Sequence, residues 1–373
     1  MNKALLSVIA LSATTLLAGC GQTEPQISVT TAPVHDAPSS SDAPSLEHLR
    51  GTTVDLFNWG LFLEDSLIQD FYDETGIRVV QSFYASNEEM YAVYTAGGRH
   101  FDMMIPSDYM VYRMIAEGLL RPLNWDNLYN SHHVGPYLMG HSFDDTNTFS
   151  VPYKWGTVGI AYNTTMVAEP ITSWSSMFDP AYAGQILMYY SERDAFVPPL
   201  MLLGASVNTT DPATIEAARD MLIEQAPLVQ AYVTDQVIGM MISGEAAMAL
   251  VYSGDATWIS YYNPDVNFVI PDEGSNIWIN SMVIPASANN PEGAEAFMNF
   301  LLRPEVAVIN TNTVGYTTAN LTAIQSGNIN PGFTALESFA VHYDDFARLE
   351  SFIDLGAERE LITQAFIEVL AAH

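Results

Sequence analysis

Apolar positions along this chain fall into short runs separated by stretches with helical spacing. Val54-Asp55-Leu56-Phe57-Asn58 reads as a strand, and residues 67–71 belong to a helix that ends before Gly76. Residues 79–83 read as a second strand. Ser86-Asn87-Glu88-Glu89 then forms a capping box, in which Ser86 accepts a backbone N–H and Glu89 reaches back. Residues 101–105 predict a third strand, broken by Pro106-Ser107. This strand–helix–strand–helix–strand order predicts a parallel sheet with helices on both faces.

The logic repeats further on. Residues 158–162, 185–188, 247–252 and 278–284 read as strands. Asp211 caps a helix that has Pro212 at its first position and runs to about residue 224. Residues 291–302 and 356–371 have helical spacing, and no internal repeat is found. The body from about residue 49 is long for one core, so two lobes are expected. Open α/β sheets hold ligands at the carboxyl ends of their strands, so the cleft between two such lobes is the expected site.

The segment before the body changes the picture. Lys3 is the only charge in the first twenty residues, and the apolar run of residues 4–17 leads into Ala18-Gly19-Cys20. A basic start, a short apolar run and small residues before a cleavage point describe a secretory leader. The run is too short to span a bilayer, which needs about 20 apolar residues. Leu17-Ala18-Gly19-Cys20 looks like a bacterial lipobox, so residues 1–20 are expected to be a lipoprotein signal peptide with Cys20 as the lipid attachment point. Cys20 is the only cysteine, which excludes an intrachain disulfide. Residues 21–48 are rich in Thr, Ser, Pro and Ala without periodicity and read as a flexible tether.

The net charge of −31 is dispersed rather than clustered, and lysine is confined to Lys3 and Lys154. Nucleic acid is excluded as a partner, because phosphate binding needs a basic surface. A cationic ligand is permitted, and so is simple adaptation to a salty exterior. There is no G-x-S-x-G elbow, no Cys–His pair and no H-E-x-x-H, so enzyme chemistry has no carrier. His132, His133 and His141 lie close together in a polar stretch and read as surface histidines, with metal capture as the rival. The adjacent pairs Tyr189-Tyr190 and Tyr261-Tyr262 leave ferric iron as a further rival. No metal or cofactor is assigned.

Several segments carry a family resemblance. They are Phe57-Asn58-Trp59, Tyr84-Ala85-Ser86-Asn87-Glu88-Glu89-Met90-Tyr91, Phe101-Asp102-Met103-Met104-Ile105-Pro106-Ser107 and Val151-Pro152-Tyr153-Lys154-Trp155-Gly156. Asn208-Thr209-Thr210-Asp211-Pro212, Phe300-Leu301-Leu302-Arg303-Pro304-Glu305 and Val314-Gly315-Tyr316 complete the series. In order and spacing they resemble the spermidine/putrescine-binding proteins of bacterial polyamine ABC importers, over roughly residues 52–321. The resemblance implies an α/β, two-lobed periplasmic-binding-protein-like fold (type II), with parallel or mixed sheets flanked by helices and the ligand in the cleft. Lobe one would comprise residues 50–156 plus 279–324, and lobe two residues 157–278 plus 325–373. It also implies a monomer that carries a small amine to an ABC importer permease, touching the membrane only through its lipid. Alternatives are a binding protein of the same fold for another amine or a zwitterion, and a polyamine sensor working with a membrane receptor.

A polyamine is an apolar chain carrying ammonium groups, so its site needs aromatic faces and spaced carboxylates. By the resemblance, Trp59, Phe62, Tyr109, Tyr252, Trp278 and Tyr316 would line the cleft, with Ser107 on the same loop as Tyr109. Asp194 and Asp255 fall at acidic positions. Asp255, read from the residues alone, would be a helix N-cap. Two positions depart from the pattern: Ser191 stands where spermidine binders carry a second acid, and Asn280 where an Asp is usual. Asparagine accepts a hydrogen bond but also offers two donors and no charge. Lys154 is expected at the surface, with service to an anionic group near the lobe crossing as the alternative.

Overall fold

The computed structural model describes residues 45–60, 62–339 and 347–373. The leader, Cys20 and the tether up to residue 44 lie outside the described residues. Leu46 packs against the first core and Leu49 is buried within it. Among the described residues no helix is long and apolar enough to cross a membrane.

Ten strands form one continuous ladder. They are β1 (Thr53–Trp59), β2 (Arg78–Tyr84), β3 (Met103–Met104), β4 (Ser150–Asn163), β5 (Ile186–Tyr189), β6 (Val229–Val233), β7 (Met248–Tyr252), β8 (Val266–Val269), β9 (Ser275–Val283) and β10 (Leu349–Ser351). Their order is β2-β1-β3-β9-β4-β7-β5-β6, with β10 on β9 and β8 on β4. β1 pairs in parallel with β2 and β3, and β5 in parallel with β6 and β7. β4 is antiparallel to β7, β8 and β9, so the sheet is mixed, as expected.

The strand pair β4–β9 joins two cores. Residues 150–157 of β4 pair with β9, whereas residues 158–163 pair with β7 and β8. One apolar core draws on residues between Leu49 and Trp155 and between Ile277 and Ala319. Two more clusters draw on residues between Val158 and Ile270, and Phe352 to Val369 complete the larger of them. Each core lies against its own part of the sheet, which gives the molecule two lobes.

Local signals account for many boundaries. Ser86 accepts the N–H of Glu89 at 3.1 Å, and Glu89 returns to the N–H of Ala85 rather than that of Ser86. Asp211 accepts the N–H of Thr214 and opens the helix Pro212–Gln225. The third strand is shorter than its apolar run, with two residues against an expected five. Asp102 is the reason: its carboxylate takes the N–H of Asp55 and those of Asn289 and Asn290. The side chain thus replaces part of the ladder. β4 is longer than expected because Pro152 is accommodated at a bulge between Pro152 and Lys154.

Candidate ligand-binding site

Alternation along β4 and β9 defines the floor of the cleft. Tyr153, Trp155, Ile277 and Ile279 enter the first core. The residues between them, Lys154, Gly156, Trp278 and Asn280, therefore face the other way. Lys154 is paired with Asn280, and Gly156 with Trp278. A Cβ on Gly156 would collide with the Trp278 ring, so glycine here lets the indole lie across the strand. Gly254 does the same for Tyr316.

Around this floor the rings interlock. Trp278 meets Tyr252 with ring centroids 6.1 Å apart and Tyr316 at 5.6 Å, both edge to face. Tyr316 reaches Phe62 at 6.0 Å, and Tyr252 reaches Tyr189 at 4.8 Å. Such pairs are favourable because the edge of one ring meets the electron-rich face of the next. Trp59, at the end of β1, stands on Tyr84, and both donate to the carbonyl of Ile105 at 2.8 Å.

The carboxylates belong to the second lobe. Asp194 follows β5 and is buried; its Oδ2 accepts from the hydroxyls of Ser191 at 2.6 Å and Tyr252 at 2.7 Å. Its neighbour Arg193 turns instead to the carbonyls of Ile353 and Val207 and to Asn208. Burial raises the Asp194 pKa, and its two hydroxyl partners oppose the rise. Asp255 is the third residue of the helix Ser253–Tyr262, not its N-cap, which is Tyr252. The expected capping role is replaced by a bond from the Tyr316 hydroxyl at 2.8 Å. Burial pushes Asp255 up to about 7.

The first lobe contributes neutral groups. The N–H of Ser107 donates to Asn87 Oδ1, which fixes the amide so that Asn87 Nδ2 donates to Ser107 Oγ and to the Tyr109 hydroxyl. Ser107 Oγ then donates to Asn280 Oδ1 at 2.7 Å, and Tyr109 donates to Glu88 at 3.0 Å. Glu88 also meets Arg359, which holds Glu192 in turn. Tyr109 packs against both cores.

Lys154 is buried, not exposed as expected, with 1% of its surface accessible. Its Nζ lies 4.8 Å from the centre of the Phe62 ring and 5.7 Å from that of Tyr153. It has no hydrogen-bond partner among the described residues. Burial alone draws its pKa down to about 7.

Ten of the eleven positions singled out in the sequence are linked by these ring contacts, hydrogen bonds and strand pairings, while Trp59 reaches Tyr84 and Ile105. Sequence reasoning passed over Asn87, which orients Ser107, and weighed Tyr189 for ferric iron and not for an amine; burial and the nearby Asp255 and Asp194 hold the Tyr189 hydroxyl well above its usual pKa. It also passed over Asp108, a buried carboxylate at about 7 that accepts from the N–H groups of Tyr109 and Ile279. Tyr189 directly follows the predicted strand 185–188 and is the last residue of β5. The adjacent tyrosines diverge: Tyr189 turns to Tyr252 and Tyr190 to Phe366, while Tyr261 and Tyr262 stand around Trp258. His132 and His133 have ring centroids 3.9 Å apart with planes tilted by 44°, whereas His141 bonds to the Tyr137 carbonyl. Among the described residues no group of three or more His, Cys, Asp or Glu side chains could hold a metal ion.

Two cores joined by crossing strands, with rings and carboxylates converging between them, define a two-lobed solute-binding protein. The chain belongs to the bacterial extracellular solute-binding proteins, whose family model matches residues 66–335. These proteins bind solutes for transport and are not enzymes. The chain is 38% identical over 275 residues to the spermidine/putrescine-binding periplasmic protein of Salmonella typhimurium, covering 73% of this chain and 78% of that protein. It is also similar to the structure of a spermidine/putrescine ABC transporter substrate-binding protein from Streptococcus pneumoniae. That match has a TM-score of 0.79 and 34% identity and covers 86% of this chain and 99% of that one. A lipoprotein of Treponema pallidum matches with a TM-score of 0.76 and 25% identity, covering 85% of this chain and 99% of that one.

Proposed function

We propose that this chain captures a linear amine of the putrescine and spermidine class outside the cytoplasm and delivers it to an ABC importer. The observation that carries this is the pair of buried carboxylates, Asp194 and Asp255, set among rings and, among the described residues, bonded by neutral hydroxyl side chains. An ammonium is the partner they lack. A hydrogen bond to a charged group contributes about 1.5–3 kcal/mol, and a desolvated cation over a ring about 2 kcal/mol. Trp59, Phe62, Tyr109, Tyr252, Trp278 and Tyr316 cover the methylenes, while Ser107, Ser191 and Asn280 set the register. The names of the relatives support the same ligand class.

Residues 50–156 with 279–324 form lobe one in this reading, and residues 157–278 with 325–373 form lobe two. The protein works as a monomer, held to the membrane through a lipid on Cys20, as the lipobox pattern and the lipoprotein relative suggest. Calorimetric titration of the purified protein with putrescine, cadaverine and spermidine tests the function. Saturable binding of at least one is expected, with a rise in melting temperature, because a ligand that binds only the folded state stabilises it. No response to any of the three at millimolar concentration would refute the reading.

A further inference from the structure

We propose that the cleft is bipolar and takes a linear amino-carboxylate, with its ammonium against Asp194 and Asp255 and its carboxylate against Lys154, Asn280 and Trp278. The ammonium end rests on the function proposed above; the carboxylate end is new.

The floor of the cleft gathers donors that lack acceptors. Lys154 Nζ and Trp278 Nε1 are both buried and bond to nothing among the described residues. Asn280 adds to them. Its Oδ1 is taken by the Ser107 hydroxyl, and its Nδ2 donates to no described residue. Ser107 is itself set by Asn87, so the oxygen of Asn280 is held toward lobe one and the NH₂ is the free end. These groups share one face, because Lys154 pairs with Asn280 and Gly156 with Trp278 on adjacent antiparallel strands. Lysine carries three donors, the asparagine NH₂ two and indole one.

A buried ammonium without a counter-charge is costly, and among the described residues Nζ faces the rings of Phe62 and Tyr153 and no hydrogen-bond partner. A carboxylate would satisfy these donors at once. A second ammonium, such as the far end of a diamine, would meet like charge and no acceptor. The opposite end of the cleft has the reverse character, since Asp194 and Asp255 accept hydrogen bonds and carry negative charge once deprotonated. One layer of rings separates the ends: Trp278 touches both Tyr252 and Tyr316, whose hydroxyls hold the two carboxylates. That layer suits a few methylenes.

The test is calorimetry on the whole protein with two ligands of matched chain, 5-aminovalerate and cadaverine. The expected result is that 5-aminovalerate binds at least tenfold more tightly, and that Lys154→Met removes the advantage. Cadaverine binding as tightly or more tightly in the unaltered protein overturns this inference and leaves the amine function standing. Silence from both ligands overturns the amine function and this inference with it. Should Lys154→Met fail to fold, Asn280→Asp serves in its place: the added carboxylate must shift the preference toward cadaverine by tenfold or more. An unmoved ratio in either variant also overturns the proposal.

Discussion

The two walls of the cleft hold their polar groups in different ways. On the second lobe the groups are carboxylates, buried and bonded to tyrosine and serine hydroxyls, with no ion pair to either among the described residues. On the first lobe they are amides and hydroxyls in a directed chain from Asn87 through Ser107 to Asn280. Of the acids on that side, Glu88 is engaged by Arg359, and Asp108 is buried against the N–H groups of Tyr109 and Ile279. The difference teaches a division of labour for the proposed site: the acids of the second-lobe wall would select the ammonium, and the amides and hydroxyls of the first-lobe wall would set its position. A bond from Tyr316, which packs on the first core, to Asp255 ties the two together.

The sharpest way to break this comparison is to neutralise each wall in turn. Asp194→Asn should weaken amine binding by about 1.5–3 kcal/mol in calorimetry, the worth of a hydrogen bond to a charged group. Ser107→Ala should cost about 1 kcal/mol, as a neutral bond does. Equal losses would show that charge selection is not confined to the second lobe.

Next in size is the packing of the floor. Gly156→Ala forces the Trp278 ring off the strand, and overpacking of this kind costs about 1–3 kcal/mol. The melting temperature and the amine affinity should fall together. A fall in melting temperature alone would mean that Trp278 does not line the bound ligand.

Titration sharpens the role of the acids. Asp255 is raised to about 7 by burial, so it must lose a proton to meet an ammonium. Amine affinity should fall by up to about tenfold as the pH drops from 7 to 6, since one pKa unit corresponds to about 1.4 kcal/mol. The sign for stability is opposite. A carboxyl whose folded pKa is raised binds its proton more tightly when folded, so stability is present at low pH and lost as pH rises from about 4 through about 7. Melting curves of the ligand-free protein against those of Asp255→Asn should show this contribution. A pH-independent amine affinity would place the ammonium elsewhere.

The smallest expected effect concerns the contact between the lobes at Glu88, Arg359 and Glu192. The Arg359 and Glu88 side chains are each more than one-third exposed, and pairs of that kind contribute up to about 1 kcal/mol. Arg359→Gln should weaken closure by less than that, with a loss that fades at high salt. A larger loss would move part of the charge recognition to the first lobe's rim.

Much of the fold was legible as pattern. The runs that became β1, β2, β5, β7 and β9 stand out because each combines apolar residues with a turn signal nearby. β6, β8 and β10 did not, since short strands with mixed burial carry little periodicity. The first half of β4 was hidden by Pro152 and Gly156, residues that ordinarily argue against a strand. In the site, the rings and Asp194 were reached through family resemblance rather than through chemistry visible in the residues. Asp255 was reached the same way, and its bond to Tyr316 joins residues 61 positions apart.

Lys154 marks the boundary between the two kinds of knowledge. The sequence by itself determined the α/β alternation and the caps at Ser86 and Asp211, because these depend on neighbours a few residues away. A lone lysine beside proline and aromatic residues has no local signal for burial. Only the pairing of β4 with β9 turns Lys154 onto the same face as Trp278 and Asn280 and covers it with Phe62. Burial, orientation and the missing acceptor are properties of packed distant segments, and these decide what the cleft can hold.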